Sequence, residues 1–489
     1  MEYLNDNSPG YFLSVKKSWE CLYPFAVPLT LILKINGSII TKNFKPVFMR
    51  HNKKIIAIAA MSAIVIFIQC SKTFKKGEQV GAEEEQSGIE KKKSLIAQGK
   101  ETFRFDTFGD EDFWSGLLHI DKAIAGELNG GFGPGVSPAA ALGIGLKVDV
   151  DALPAEIREG IISHSIDLND PAITLALLKL NAVVGVKGNF NQEEKLQSIG
   201  ITCAVCHSTV DNSFSDGIGK RLDGWPNRDL DVGGIISLTD NALPIANLLH
   251  VSEPTLRNIL DLWGPGKFSA ILFMDGQAFN PNNGKVAANL IPAAFGLKGI
   301  DLTTYTGWGD ISYWNAFVAN LEMHGKGNFS DPRLNDPKYP IAVENGFYNV
   351  TNNPDLITSK LPALREYQHS IDAPKPPTGS YNVAAAGRGK GIFLSKAKCA
   401  SCHSLPLLAD NKLHTAAEMG IDDFDAMRSP TGKYRTTPLG GLFTRTKGGF
   451  FHDGRFATLS DVINHYNDHF SLNLTASEKR DLEQYLRSL

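Results

Sequence analysis

Four of the chain's six cysteines fall in two five-residue runs of one design, Cys203-Ala204-Val205-Cys206-His207 and Cys399-Ala400-Ser401-Cys402-His403. Two thiols three residues apart lie about one helical turn from each other, so they can add to the two vinyl groups of a single haem. The histidine that follows sits where its imidazole can bind the iron. C-x-x-C-H is the attachment pattern of a c-type haem. A bare C-x-x-C also serves as half a zinc site or as a redox dithiol, but neither use calls for a histidine directly after the second cysteine. The spacing predicts two covalently bound haem c groups, attached at Cys203, Cys206, Cys399 and Cys402, with His207 and His403 as iron ligands.

The chain that must position these runs has 489 residues, enough for two or three domains with ample core. A net charge of -3 without a basic stripe argues against a nucleic-acid partner. The other cysteines, Cys21 and Cys70, precede the globular part, which is left with no pair for a disulfide. Arg50, Lys53 and Lys54 are followed by an apolar run over 55–68, shorter than the ~20 residues of a spanning helix. This is the layout of a secretory signal over 49–70. Export suits haem attachment, which in bacteria occurs outside the cytoplasm, so the expected location is periplasmic. Such a signal should begin at an initiator. Met49 is therefore the expected start and 1–48 a mis-assigned upstream extension; the rival is a genuine extension, kept open by the apolar stretch at 27–33. Cys70 resembles a lipoprotein acceptor, with simple cleavage or an uncleaved anchor as the alternatives. Any membrane contact is expected only through this N-terminal anchor.

Residues 71–97 are polar and charged, and the expectation is a tether. A globular, haem-bearing N-terminal domain is expected over 98–372, a stiff linker over 373–383 around Pro374, Pro376 and Pro377, and a small domain over 384–489. Residues 387–397 should form the helix leading into Cys399. Thr475 and Glu478 make a capping box, and Leu482, Tyr485, Leu486 and Leu489 share one helix face. The fold class expected is mostly α: two cytochrome c-like haem domains with long loops, the N-terminal one enlarged.

Two pentads 196 positions apart, the run Tyr434-Arg435-Thr436-Thr437-Pro438-Leu439 and the run Phe451-His452-Asp453-Gly454-Arg455-Phe456 together make the chain similar to the bacterial di-haem cytochrome c peroxidase superfamily, which includes MauG-type enzymes. The match is strongest over 384–489 and patchy over 103–329. The resemblance implies a peroxidatic haem at His207 and an electron-transfer haem at His403, fed by a small donor protein of cytochrome c or cupredoxin type. In the family a glutamate in Asn-Pro-x-Glu-Met serves as acid and base in cleaving peroxide. Asn320-Leu321-Glu322-Met323 resembles that run without its proline, which implies Glu322 as catalytic acid/base. Family peroxidases place a displaceable histidine after an Ile-Gly pair; here Ile218-Gly219 is followed by Lys220, so the first iron is either open or closed by another donor such as His324. Where many relatives have a methionine as sixth ligand of the second haem, this chain has Tyr466, beside His465. Trp308 is the implied aromatic bridge between haems, with Met274 in the rival alignment. A bridging calcium ion would use Asn227 and backbone oxygens around Thr437 and Pro438. His452 and Arg455 are the implied contacts around the haem, and Arg428 and Arg435 further propionate partners.

The leading expectation is an oxidoreductase that reduces hydrogen peroxide. A non-catalytic electron-transfer cytochrome with both irons six-coordinate is the alternative from another class. The third reading is a MauG-like or rubber-oxygenase-like enzyme that uses dioxygen.

Overall fold

The computed structural model describes residues 31–35, 38–42 and 86–489. The expected start at Met49, the signal segment 49–70 with Cys70, and residues 71–85 of the expected tether lie outside the described residues. The chain divides into two compact units, 1–91 and 92–489. In the first, β1 (Leu31–Ile35) pairs antiparallel with β2 (Ser38–Lys42).

A helix, α1, covers 86–105, so the last part of the expected tether is helical. The reason lies in its apolar spacing: Ile96 and Phe103 pack in one cluster with Val184, Leu364 and Tyr367. At Gly99 the approach is so close that an added Cβ would meet the Ala363 carbonyl oxygen at 1.9 Å. Among the described residues no helix is long and apolar enough to cross a membrane.

Helices dominate the second unit, and its described strands occur only in two-stranded pairs, as the mostly α expectation required. Apolar side chains gather in two main clusters. The larger is rich in aromatics, among them Trp114, Trp263, Trp308 and Phe317. The smaller joins Phe393, Leu442, Ile463, Leu482, Tyr485 and Leu486.

Three pieces of local structure carry the first pentad. The antiparallel pair β3 (Val186–Phe190) and β4 (Leu196–Ile201) delivers the chain to the short helix α2 (Ala204–His207). Helix α3 (Ile311–Phe317) starts where Asp310 accepts the Tyr313 N–H at 2.8 Å and runs on into a wide π-helical turn, Val318–Glu322. Helix α4 (Leu361–Ser370) packs beside α3, with Asn315 and Gln368 exchanging amide hydrogen bonds of 2.7 and 3.1 Å.

The second pentad is framed by α5 (Val383–Leu394), α6 (Leu459–His469) and α7 (Ala476–Arg487). Thr458 with Asp461, and Thr475 with Glu478, close capping boxes at the starts of α6 and α7. Helices α5 and α7 meet at Gly389, where an added Cβ would stand 2.0 Å from the Asp481 carbonyl oxygen and 2.9 Å from the Tyr485 Cβ. Backbone cannot yield as a side chain can, so Gly389→Ala is expected to cost about 1–3 kcal/mol or more. A thermal melt should show the loss; an unchanged melting temperature would mean that these helices do not cross this closely.

Candidate haem sites

The first pentad folds into a helical turn through backbone bonds from Val205 N to Thr202 O (3.0 Å) and from His207 N to Cys203 O (3.2 Å). His207 Nδ1 lies 3.1 Å from the Pro292 carbonyl oxygen. A carbonyl only accepts, so Nδ1 carries the proton and Nε2 is left with its lone pair, the arrangement a metal-ligating histidine needs. Burial pushes the His207 pKa down to about 4, which keeps the ring neutral, and pushes the Cys203 and Cys206 thiols up to about 12.

Glu322 closes the π-helical turn, a geometry often found at functional sites. Both of its carboxyl oxygens are buried, and neither has a hydrogen-bond partner. Burial raises its pKa well above the ordinary carboxylate range, which favours the protonated form. The adjacent Met323 packs with Phe108, Ala319 and Ile357, and Cys203 lies against that same cluster. A second π-helical turn, Asp112–Leu117, locks the segment in place. Trp114 Nε1 donates to the Met323 carbonyl at 3.2 Å, and Phe113 stacks on His324 with ring centres 3.7 Å apart. His324 is half-buried, and its desolvation pushes the pKa down to about 4. Asp110 accepts the Ile201 N–H at 3.2 Å just before the pentad; burial pushes its pKa up to about 9.

At the second pentad His403 Nδ1 lies 3.0 Å from the Leu408 carbonyl oxygen, which again leaves Nε2 free, and burial pushes its pKa down to about 4. Cys399, Cys402 and His403 open into a cavity of about 760 Å³ whose wall includes Tyr466, His452 and Met419. That volume is within the range of sites for cofactor-sized ligands. The Tyr466 phenol is shifted upward, by burial first and by the Cys402 and Cys399 thiols after it. All four pentad thiols are unbridged. The donor sets therefore fit one c-type haem each, and the second has a cavity to match.

Several implied positions come out differently. His465 is turned out of the cavity wall, its Nε2 2.8 Å from the Met419 carbonyl oxygen, because neighbours on α6 point about 100° apart. Tyr466 is thus the better placed of the two. Trp308 and Met274 are buried in the large apolar cluster; the Trp308 indole N–H reaches Asp331 at 3.3 Å, and neither residue lines the second cavity. Arg455 is engaged by Asp453 and Asp422, and Arg428 by Asp275 at 2.7 and 3.0 Å, so these guanidiniums serve ion pairs. His452 and Arg435 do line the cavity. Asn227 spends its amide N–H groups on the Gly145 and Val205 carbonyls at 3.0 and 3.3 Å, while Thr437 and Pro438 belong to the cavity wall. Among the described residues the side-chain cluster at metal-ligating distance is Cys402, Asp410 and His414, which contains an attachment thiol.

Sequence reasoning missed Tyr305, Arg228, Arg445 and Met419, all in the cavity wall. Nothing in their local sequence marks them, since they arrive from separate segments of the chain, Met419 and Arg445 from the ends of short helices. With Tyr466 as the sixth ligand, Tyr466→Met should raise the midpoint potential of one haem only. Spectroelectrochemical titration of the variant checks this, and two unmoved potentials would remove Tyr466 from the iron.

No family model matches the chain. Methylamine utilization protein MauG of Methylorubrum extorquens is 23% identical over 218 aligned residues, covering 37% of this chain and 61% of that protein. A chain of Kuenenia stuttgartiensis hydrazine synthase, solved under xenon pressure, aligns with 47% of this chain and 92% of its own length at 16% identity. Its TM-score of 0.26 is too low to bear on the fold. The resemblance of this chain to the bacterial di-haem cytochrome c peroxidase and MauG superfamily therefore rests on a sequence relative as well as on its two haem-attachment pentads.

Proposed function

We propose that this chain is an exported di-haem c-type oxidoreductase that reduces hydrogen peroxide to water beside the first pentad. Electrons would enter through the second from a small cytochrome c or cupredoxin donor. Bound at each pentad, haem would supply an iron able to take up and pass on electrons. The observation that carries the reading is Glu322, whose buried carboxyl oxygens have no partner of their own and whose pKa burial raises, on a segment packed against Cys203. Burying such a group unpaired is costly, which is tolerable where an incoming ligand completes its hydrogen bonds. In its protonated form Glu322 can then give its O–H proton to one peroxide oxygen while its other carboxyl oxygen takes the proton from the second. Two protons and two electrons convert the peroxide into two waters.

His207 stays neutral and is oriented by Pro292, which also lines the second cavity. From the other side, Asn227 N donates to Cys206 O at 2.8 Å, and the next residue, Arg228, reaches the cavity wall. Two short backbone segments thus link the pentads, supporting electron passage between them. The basic and apolar run over 50–70 supports export, with Cys70 as the candidate anchor point.

A steady-state assay with hydrogen peroxide and a reduced cytochrome tests the proposal, and absence of turnover in the protein carrying both haems would sink it. A purely electron-transferring protein is favoured by one feature, the half-buried imidazole of His324 two residues beyond Glu322, which desolvation keeps neutral. Electron paramagnetic resonance separates the two readings: a high-spin ferric signal means an open iron, and wholly low-spin ferric iron means that both are closed.

A further inference from the structure

Three guanidiniums, Arg228, Arg435 and Arg445, line the cavity of the second pentad. All three side chains are buried. Among the described residues none of them has a carboxylate at ion-pair distance. They rest on backbone carbonyls instead: Arg228 Nη1 on Lys447 O at 3.2 Å, Arg435 Nη1 on Leu302 O at 2.8 Å and Arg445 Nη2 on Gly440 O at 2.8 Å. Arg435 Nε donates to Thr304 O, whereas the Nε atoms of Arg228 and Arg445 have no partner. Tyr305 lies among the three, and the guanidiniums also repel one another: Arg445 depresses Arg435, and Arg228 depresses Arg445. Burial is the larger cause, pushing Arg435 and Arg445 down to about 10. Buried cations that are neither paired nor solvated are expensive, and three of them facing one cavity call for an anion there.

We propose that Arg228, Arg435 and Arg445 form a carboxylate clamp that holds the propionates of a haem attached at Cys399 and Cys402 and raises its midpoint potential. The clamp rests on the reading that the second pentad carries haem. A haem tethered by those thiols brings two carboxylates into the same cavity, and guanidinium pairs with carboxylate in two parallel hydrogen bonds. Three cations against two anions leave excess positive charge, which favours the iron that has gained an electron. One cation comes from the loop that follows the first pentad, so the clamp also ties the two haem-bearing halves together. The other source of the same chemistry is a free organic carboxylate.

The test uses the full chain carrying both haems, with Arg445→Gln, Arg435→Gln and, to keep the charge, Arg445→Lys. Haem content is counted first as the pyridine haemochromogen. Two haems per chain are expected in parent and variants, with one midpoint potential shifted downward in both glutamine variants, largely retained in Arg445→Lys, and the other potential unmoved. The propionate bending modes in resonance Raman spectra should shift with it. Two haems with unmoved potentials and modes would overturn the clamp. So would a saturable response of the parent spectrum to added succinate that both glutamine variants lose, since the cations would then serve a free carboxylate. Fewer than two haems in the parent would overturn the di-haem reading itself, and the clamp with it.

Discussion

Glu322→Gln is expected to lower peroxide turnover by about 10²–10⁴-fold, the usual worth of a positioned acid/base, while haem content stays at the parent level. Glutamine preserves the shape and polarity of the side chain and removes the acid/base function. Because burial raises the Glu322 pKa and so favours the protonated form, the parent should lose activity as pH rises through that elevated pKa. The variant should lack that limb. Stability of the parent moves in the same direction. A carboxyl whose folded pKa is raised binds more protons in the folded than in the unfolded chain, so its contribution is fully present below the unfolded value of about 4.3 and is lost as pH rises. The glutamine variant should therefore match or exceed the parent's melting temperature above neutrality. Turnover, pH profile and melts together decide this. Undiminished turnover would remove Glu322 from the mechanism, whatever the melts show.

Replacing Cys399 and Cys402 together by serine should remove one haem, abolish turnover driven by an external donor and loosen the C-terminal half. The cavity of about 760 Å³ sets the scale. Without the haem, water occupies this space against a largely apolar wall, so the packing contacts and apolar burial that the cofactor would supply are lost. Side chains such as Leu442, Ile463, Leu482 and Leu486 belong both to the small apolar cluster and to the cavity wall, so they cannot keep these positions around nothing. Expected results are one haem by haemochromogen assay, weakened near-ultraviolet circular dichroism and new proteolytic cuts within 384–489. A serine variant that resists protease as the parent does would show that the half folds without its cofactor.

The local elements follow from short-range rules. Thr458 with Asp461 and Thr475 with Glu478 start their helices because each pair satisfies backbone N–H groups within one turn. The helix at 86–105 was obscured by its charged first half: a charged run reads as solvated until the partner that covers its apolar face, here Leu364 and Tyr367, is known. Trp308 shows the limit of matching one aromatic by position. An indole is as useful to a core as to a cofactor, and here Tyr339, Trp314 and Phe317 surround it.

Sequence alone determined that this chain can hold two c-type haems, because the attachment chemistry needs only two thiols and a histidine within five consecutive residues. It also pointed to Glu322 and Tyr466 through resemblance. Tertiary structure decided the surroundings of each pentad. It set the carbonyls that orient His207 and His403 and turned Tyr466 inward with His465 outward. It left the Glu322 carboxyl buried without a partner, and it brought Arg228, Arg435 and Arg445 to one cavity. Burial and charge depend on residues distant in the chain, such as Arg228 and Arg445, and no local spacing encodes which of them meet.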